Sequence, residues 1–179
     1  MDQNTAGSII ETLLFVAGEP IVPDHLVSLF DGELDRKTIK QILDQMTIKY
    51  RDRTIQLTEV ANGYKLCTRP QYGEWIKKFL HEERRRTLSQ AALESLAIVA
   101  YRQPITRPEI EEIRGVDASG VLRNLLEKNL IKITGRKDVV GRPIVYGTTK
   151  KFLEHFGLKS LSDLPPLEEF TRNLEEKEA

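Results

Sequence analysis

His25, His81 and His155 stand far apart in this chain, with no HxxxH or Cys/His spacing, so no metal-ligand set can be read from them. Cys67 is the one cysteine. It sits in an alternating apolar/polar stretch with no nearby histidine to act as a base, which makes it an apolar filler rather than a nucleophile. The eleven glycines form neither GxxxxGK[ST] nor GxGxxG, so both nucleotide fingerprints are missing, and no cofactor is expected. Glu109, Glu111 and Glu112 fit a solvated helix face better than an acid/base pair. What remains is binding chemistry. The segment GRKDVVGRPIVYGTT, residues 135–149, places Arg136, Lys137 and Arg142 on or beside a glycine-punctuated turn. It reads either as a solvated loop or as a wing that touches an acidic partner or phosphates. Tyr101 and Arg102 end an apolar run just before Pro104, so their side chains are placed to emerge at a domain edge. With Arg142 and Tyr146 they are the candidate partner-binding residues, because tyrosine and arginine are enriched at binding hot spots. The alternative for both tyrosines is a core role with only the hydroxyl exposed.

The elements that must position these residues follow from the apolar pattern. Ten of the fourteen residues from Leu88 to Tyr101 are Ala, Leu, Ile, Val or Tyr, which predicts a buried core helix too short to span a bilayer. Pro104 ends it. Thr106 and Glu109 form a capping box, with Pro108 in the first turn, for a second helix over 107–114. Asp117 is the expected N-cap of a third, whose stripe is Val121, Leu122, Leu125 and Leu126. Gly120 in its first turn costs up to about 1 kcal/mol against alanine, unless a close approach requires it. Two short strands, 130–134 and 143–148, and a closing helix, 150–156, complete the set.

The first half repeats this plan. ETLLFVAGEPI, residues 11–21, aligns with ESLAIVAYRQPI, residues 94–105, after one insertion, and self-similarity of that kind marks repeated supersecondary units. Helices are predicted over 23–30 and 35–50, and strands over 54–60 and 64–68 around Asn62-Gly63, a strong hairpin signal. A closing helix over 71–80 would bury Trp75, Ile76 and Phe79. The fold class is therefore mainly α with small β-hairpin wings, as two tandem winged-helix domains. The domains are set at residues 1–84 and 85–160, joined through the charged run HEERRRT at 81–87. An acidic tail at 161–179, ended as regular structure by Pro165-Pro166, is expected to be disordered. The first helix carries Ile9, Ile10, Leu13, Leu14 and Phe15, more than one side can bury, so Ile10, Leu13 and Leu14 are the candidate dimer interface. The alternative is that all five pack inside their own domain.

Composition narrows the class of partner. Formal net charge is zero, but residues 86–151 hold 12 basic against 7 acidic side chains, and residues 152–179 hold 3 against 7. Phosphate contacts supply most of a DNA reader's affinity, so a balance this mild predicts at most weak or indirect DNA binding. The single cysteine and the lack of a signal-peptide pattern or an apolar span lead to the expectation of a cytoplasmic protein with no membrane partner.

With these residues in view, the chain resembles the segregation and condensation protein B family of bacteria. The likeness spans about residues 8–167 and is densest in LSQAALESLAIVAYRQPITRPEIEEIRGVD, SGVLRNLL and GRKDVVGRPIVYGTTKKFLEHFGLKSLSDLPPL, with NGYKLCTRP and EWI in the first half. The resemblance implies two winged-helix domains and a homodimer held through the first. It also implies a complex with the kleisin subunit, segregation and condensation protein A, and through it with the structural-maintenance-of-chromosomes ATPase. It implies a nucleoid-associated role in chromosome condensation and partition, and no catalytic residues. A DNA-binding winged-helix transcription regulator is the competing class. It would require a basic third helix, and residues 117–129 carry two basic and two acidic side chains.

Overall fold

Asp2 opens the first helix by accepting the Thr5 N–H at 2.9 Å, and Asp35 opens the third by accepting that of Thr38 at 2.8 Å. The computed structural model describes residues 2–80 and 88–166, which fall into two compact units, 2–80 with 157–166 and 88–156. In the first unit α1 (Gln3–Val16), α2 (Pro23–Leu29) and α3 (Arg36–Lys49) surround a core of Ile10, Leu14, Leu26, Ile39, Ile42 and Leu43. An antiparallel hairpin follows, β1 (Ile55–Val60) and β2 (Gly63–Thr68), laying Leu57 and Tyr64 on that core. Arg69 then binds the end of α3, its Nε donating to the Arg53 carbonyl at 2.6 Å and its Nη2 to those of Tyr50 and Arg51. A short helix α4 (Gly73–Phe79) comes last.

The hairpin turn differs from the sequence reading by one residue. Ala61 and Asn62 are the two central residues, with φ of 52° and 60°, and Gly63 already belongs to β2. Gly63 is required for a different reason. Ile21 pairs with Tyr64, each donating its N–H to the other's carbonyl at 2.9 Å. A Cβ on Gly63 would lie 2.9 Å from both the carbonyl carbon and oxygen of Ile21.

The second unit repeats the order. Ser89 caps α5 (Gln90–Arg102), then come β3 (Ile105–Thr106), α6 (Arg107–Arg114) and α7 (Ser119–Glu127). The hairpin β4 (Ile131–Arg136) and β5 (Ile144–Thr148) follows, and α8 (Lys150–Phe156) closes the unit. The capping box of Thr106 and Glu109 is present, and Gly115 ends α6 in the left-handed region at φ 71°. Asp117 is not the cap of α7. Ala118 holds that place, while the Asp117 carboxylate accepts the N–H and hydroxyl of Ser119. The two-residue strand β3 had no sequence signal. It pairs Ile105 with Tyr146 and Thr106 with Val145, giving a sheet of order β3-β5-β4. Gln103, just before it, accepts the Thr148 N–H on its side-chain oxygen at 2.7 Å.

The segment after α8 belongs to the first unit. Leu158 and Lys159 accept, on their carbonyls, the N–H groups of Ala61 and Asn62 at 2.9 and 2.8 Å, and Lys159 pairs with Glu59 at 2.9 Å. The chain thus leaves the second unit at Phe156, short of the residue-160 boundary drawn from sequence. Leu161–Asp163, assigned above to the disordered tail, forms a turn of 3-10 helix whose Asp163 caps Lys159 and Ser160. The rest of the tail, 167–179, and the 81–87 run lie outside the described residues. No helix among the described residues is long and apolar enough to cross a membrane.

Gly63→Ala is predicted to lower stability by about 1–3 kcal/mol, the usual cost of forcing one methyl into a filled site, as read by the urea midpoint. Gly120→Ala, with no atom within 4 Å of the added Cβ, should instead hold or raise stability by up to about 1 kcal/mol. A Gly63→Ala midpoint equal to the parent's would show that the Ile21 pairing can move aside.

Candidate functional site

The four candidate partner-binding residues meet different fates. Arg102, the last residue of α5, is exposed, and Tyr101 beside it is half-buried, with burial holding its phenol above the usual tyrosine range. Tyr146 is 8% exposed, inside the sheet between Ile105 and Ile133, which is the core role left open for it. The repeat carried a signal for this, since Tyr64 fills the same place opposite Ile21 in the first unit. Arg142 is exposed at the wing tip with φ 40°, its N–H donating to the Val139 carbonyl and its own carbonyl accepting from Arg136. Chain direction separates the two arginines. Gln103 meets Thr148 at one end of β5, whereas Arg142 lies beyond the other end. The five residues of β5, roughly 15 Å of strand, separate the two ends. Tyr101 and Arg102 on one side and Arg142 on the other therefore stand at opposite ends of β5 and do not form one patch.

The wing is braced from below. Lys137 Nζ donates to Glu109 Oε1 at 2.6 Å, while the other carboxylate oxygen accepts the N–H and hydroxyl of Thr106 at 2.8 and 2.7 Å. Lys137 first, then Thr106, hold the Glu109 carboxyl down at about 2. Beyond this brace Val139 and Val140 stand out into solvent, Val140 completely. On α7, Gly120, Arg123, Asn124 and Glu127 face outward. The close approach entertained for Gly120 is not made among the described residues, none of which lies within 4 Å of an added Cβ.

In the first unit, of the three candidate interface residues, Ile10 and Leu14 are sealed in their own core at 0% and 2% exposure. They stand four apart on the inward stripe of α1, where periodicity alone places them. Leu13 is half-buried at the edge of a groove of about 460 Å3 that also touches Val16, Pro20, Leu26 and Leu29. Of its apolar lining Val16 and Leu29 are turned outward, and Phe15, next to Val16 on α1 but not part of the lining, is 76% exposed as well. A second apolar surface lies on α4. Trp75 and Phe79 were expected to pack inward, yet both are largely exposed, and only Ile76 is partly covered. Two turns of helix present one narrow stripe, and Ile76 occupies it. Trp75 carries the Lys78 ammonium over its ring at 5.1 Å.

A family model described as segregation and condensation complex subunit ScpB matches residues 8–167. Segregation and condensation protein B of Syntrophotalea carbinolica is 47% identical over 181 residues, covering 100% of this chain and 90% of that one. Among solved structures, ScpB from Mycobacterium tuberculosis aligns at 33% identity over 88% of this chain and 98% of that chain, with a TM-score of 0.42. A dimer of the ScpB N-terminal domain complexed with ScpA peptide aligns at 25% identity over 42% of this chain and 95% of that one, with a TM-score of 0.39. The relationship rests on sequence, not on superposition.

The Glu109 brace sets a pH dependence. Its folded pKa, about 2, is below the ordinary glutamate value, so its contribution is complete above the unfolded pKa and is lost as pH falls towards 2. Glu109→Gln should melt lower than the parent at pH 7, and the two melting curves should converge as pH falls from about 4.5 to about 2. A constant gap across that window would exclude the brace as a contributor to stability.

Proposed function

The chain belongs to the family of the segregation and condensation complex subunit ScpB, and from that premise we propose that it is a non-enzymatic accessory subunit of a bacterial condensin-like complex. It binds the kleisin, segregation and condensation protein A. Through that subunit it reaches the structural-maintenance-of-chromosomes ATPase and serves chromosome condensation and segregation at the nucleoid. The observation that carries this reading is the match across residues 8–167, which includes both units and the segment that rejoins the first. Each unit is a winged-helix module. Support comes from the order helix, helix, helix, hairpin, closing helix, found twice with the same Ile–Tyr backbone pairing. The transcription-regulator class gains nothing from α7, whose outward face mixes Arg123 with Glu127.

Two surfaces fit the two protein partners. The groove beside Leu13, with Val16 and Leu29 on its rim and the exposed Phe15 next along α1, takes a second copy of the chain, and this replaces Ile10 and Leu14 in the dimer assignment. An isologous contact lets each copy cover the other's apolar rim. Tyr101 and Arg102 with Arg142 take the kleisin at two points. A segment reaching both must be extended or long, and one with acidic character suits the arginines.

In sedimentation of the full chain, Phe15→Glu with Val16→Glu should convert a dimer to monomer at concentrations of about 10 µM. Retention of the dimer would move the interface elsewhere. Arg102→Glu and Arg142→Glu, confirmed folded by circular dichroism, should each weaken kleisin binding about tenfold, or about 1.4 kcal/mol. Unchanged affinity in both refutes the placement. Absence of the kleisin from material copurified with the endogenous protein and identified by mass spectrometry refutes the function.

A further inference from the structure

Where the segment after α8 crosses the tip of the first hairpin, it closes a half-open cleft of about 460 Å3. Its wall carries Asp44 of α3, Leu57 and Glu59 of β1, Tyr64 of β2, and Lys159 and Asp163 of the crossing segment. Two of the three carboxylates are engaged. Glu59 pairs with Lys159 at 2.9 Å, and Asp163 accepts the N–H groups of Lys159 and Ser160 at 2.7 and 3.1 Å. Asp44 has no partner among the described residues. Tyr64 supplies an independent observation. The residue is 6% exposed, so its ring is packed, yet its hydroxyl is not sealed in and makes no hydrogen bond among the described residues. A packed ring with an open hydroxyl at the wall of a cleft leaves that hydroxyl available to an occupant. Burial first, and then the Glu59 and Asp44 carboxylates, hold its phenol above the usual tyrosine range.

The cleft therefore asks for a group with three properties. It must be positive, because three carboxylates face one ammonium. It must donate hydrogen bonds to a carboxylate and a phenol oxygen at once. It must also carry an apolar stem to lie against Leu57 and Leu158. A guanidinium on three methylenes has all three, with donors in a fixed fork and a charge that pH does not remove. We propose that this cleft receives an arginine side chain presented by a protein partner, its guanidinium on Asp44 and the Tyr64 hydroxyl. This goes beyond the kleisin reading, which places its contacts on the second unit.

The probe is N-acetyl-arginine amide, titrated into the full chain and followed by amide NMR shifts up to about 50 mM, which detects a Kd of about 10 mM or tighter. Saturable shifts at residues 44, 59, 64 and 158–163 are expected. N-acetyl-citrulline amide, of the same shape without the charge, should bind at least about threefold more weakly, as should the arginine probe to Asp44→Asn or Tyr64→Phe. Tyr64→Phe keeps the packed ring, so a folding defect does not obscure the result. Absence of saturable shifts, equal binding of citrulline, or indifference to both variants overturns the proposal. A capped amino acid reads this cleft without any protein partner, so failure here and failure of the kleisin titration are separate results.

Discussion

In both units the piece of chain following the first helix runs back beside the hairpin and pairs an isoleucine with a tyrosine on its second strand, Ile21 with Tyr64 and Ile105 with Tyr146. Without that pairing each unit would be three helices and a two-stranded ribbon held to them by side chains alone, and such a ribbon is marginal by itself in water. The pairing fixes which face of the hairpin meets the helices, and so which side chains of the wing reach solvent. It also explains the glycine before the first tyrosine, while the glycine after the second is crowded by other side chains. On Gly63 a Cβ would strike the Ile21 backbone, and on Gly147 it would come within 3.0 Å of the Gln103 side-chain oxygen and of Thr134. The neighbour is backbone at Gly63 and side chain at Gly147, and turn conformation selects glycine at neither place.

Local signals in the sequence were the ones that could be read. The apolar periodicity of α5, the capping box at Thr106 and the two hairpins each depend on residues within a few positions of one another, where side-chain chemistry acts directly on the backbone. The repeat of the Pro-Ile segment was visible too, although its meaning as a strand was not. Residues 21 and 64 meet through N–H and C=O groups that every amino acid other than proline carries, so their partnership leaves no compositional trace. The same holds for Leu158 and Lys159 with the tip at Ala61 and Asn62.

Side-chain identity also failed to separate core from surface where one residue type serves both. Tyr146 and Tyr101 are equally good hot-spot residues by type, and only the structure puts one in the sheet and leaves the other half-covered at a helix end. Along α1 the apolar run spreads over more than half the circumference. Ile10 and Leu14 turn inward, while Phe15 and Val16 remain outside with Leu29. Burial of some apolar side chains thus marks the exposed ones as surface chemistry, an inference requiring the helix to be docked first.

The carbonyls of Leu158 and Lys159 have a consequence for how the protein is made. Ala61 and Asn62, both held at positive φ, leave the ribosome roughly a hundred residues before those carbonyls do, an interval of about 5–20 s at ordinary elongation rates. During that interval the hairpin tip must give its N–H groups to water. Of the two units, the one translated earlier is thus completed later, and the second unit is fully synthesised while the first still lacks its final segment of contacts.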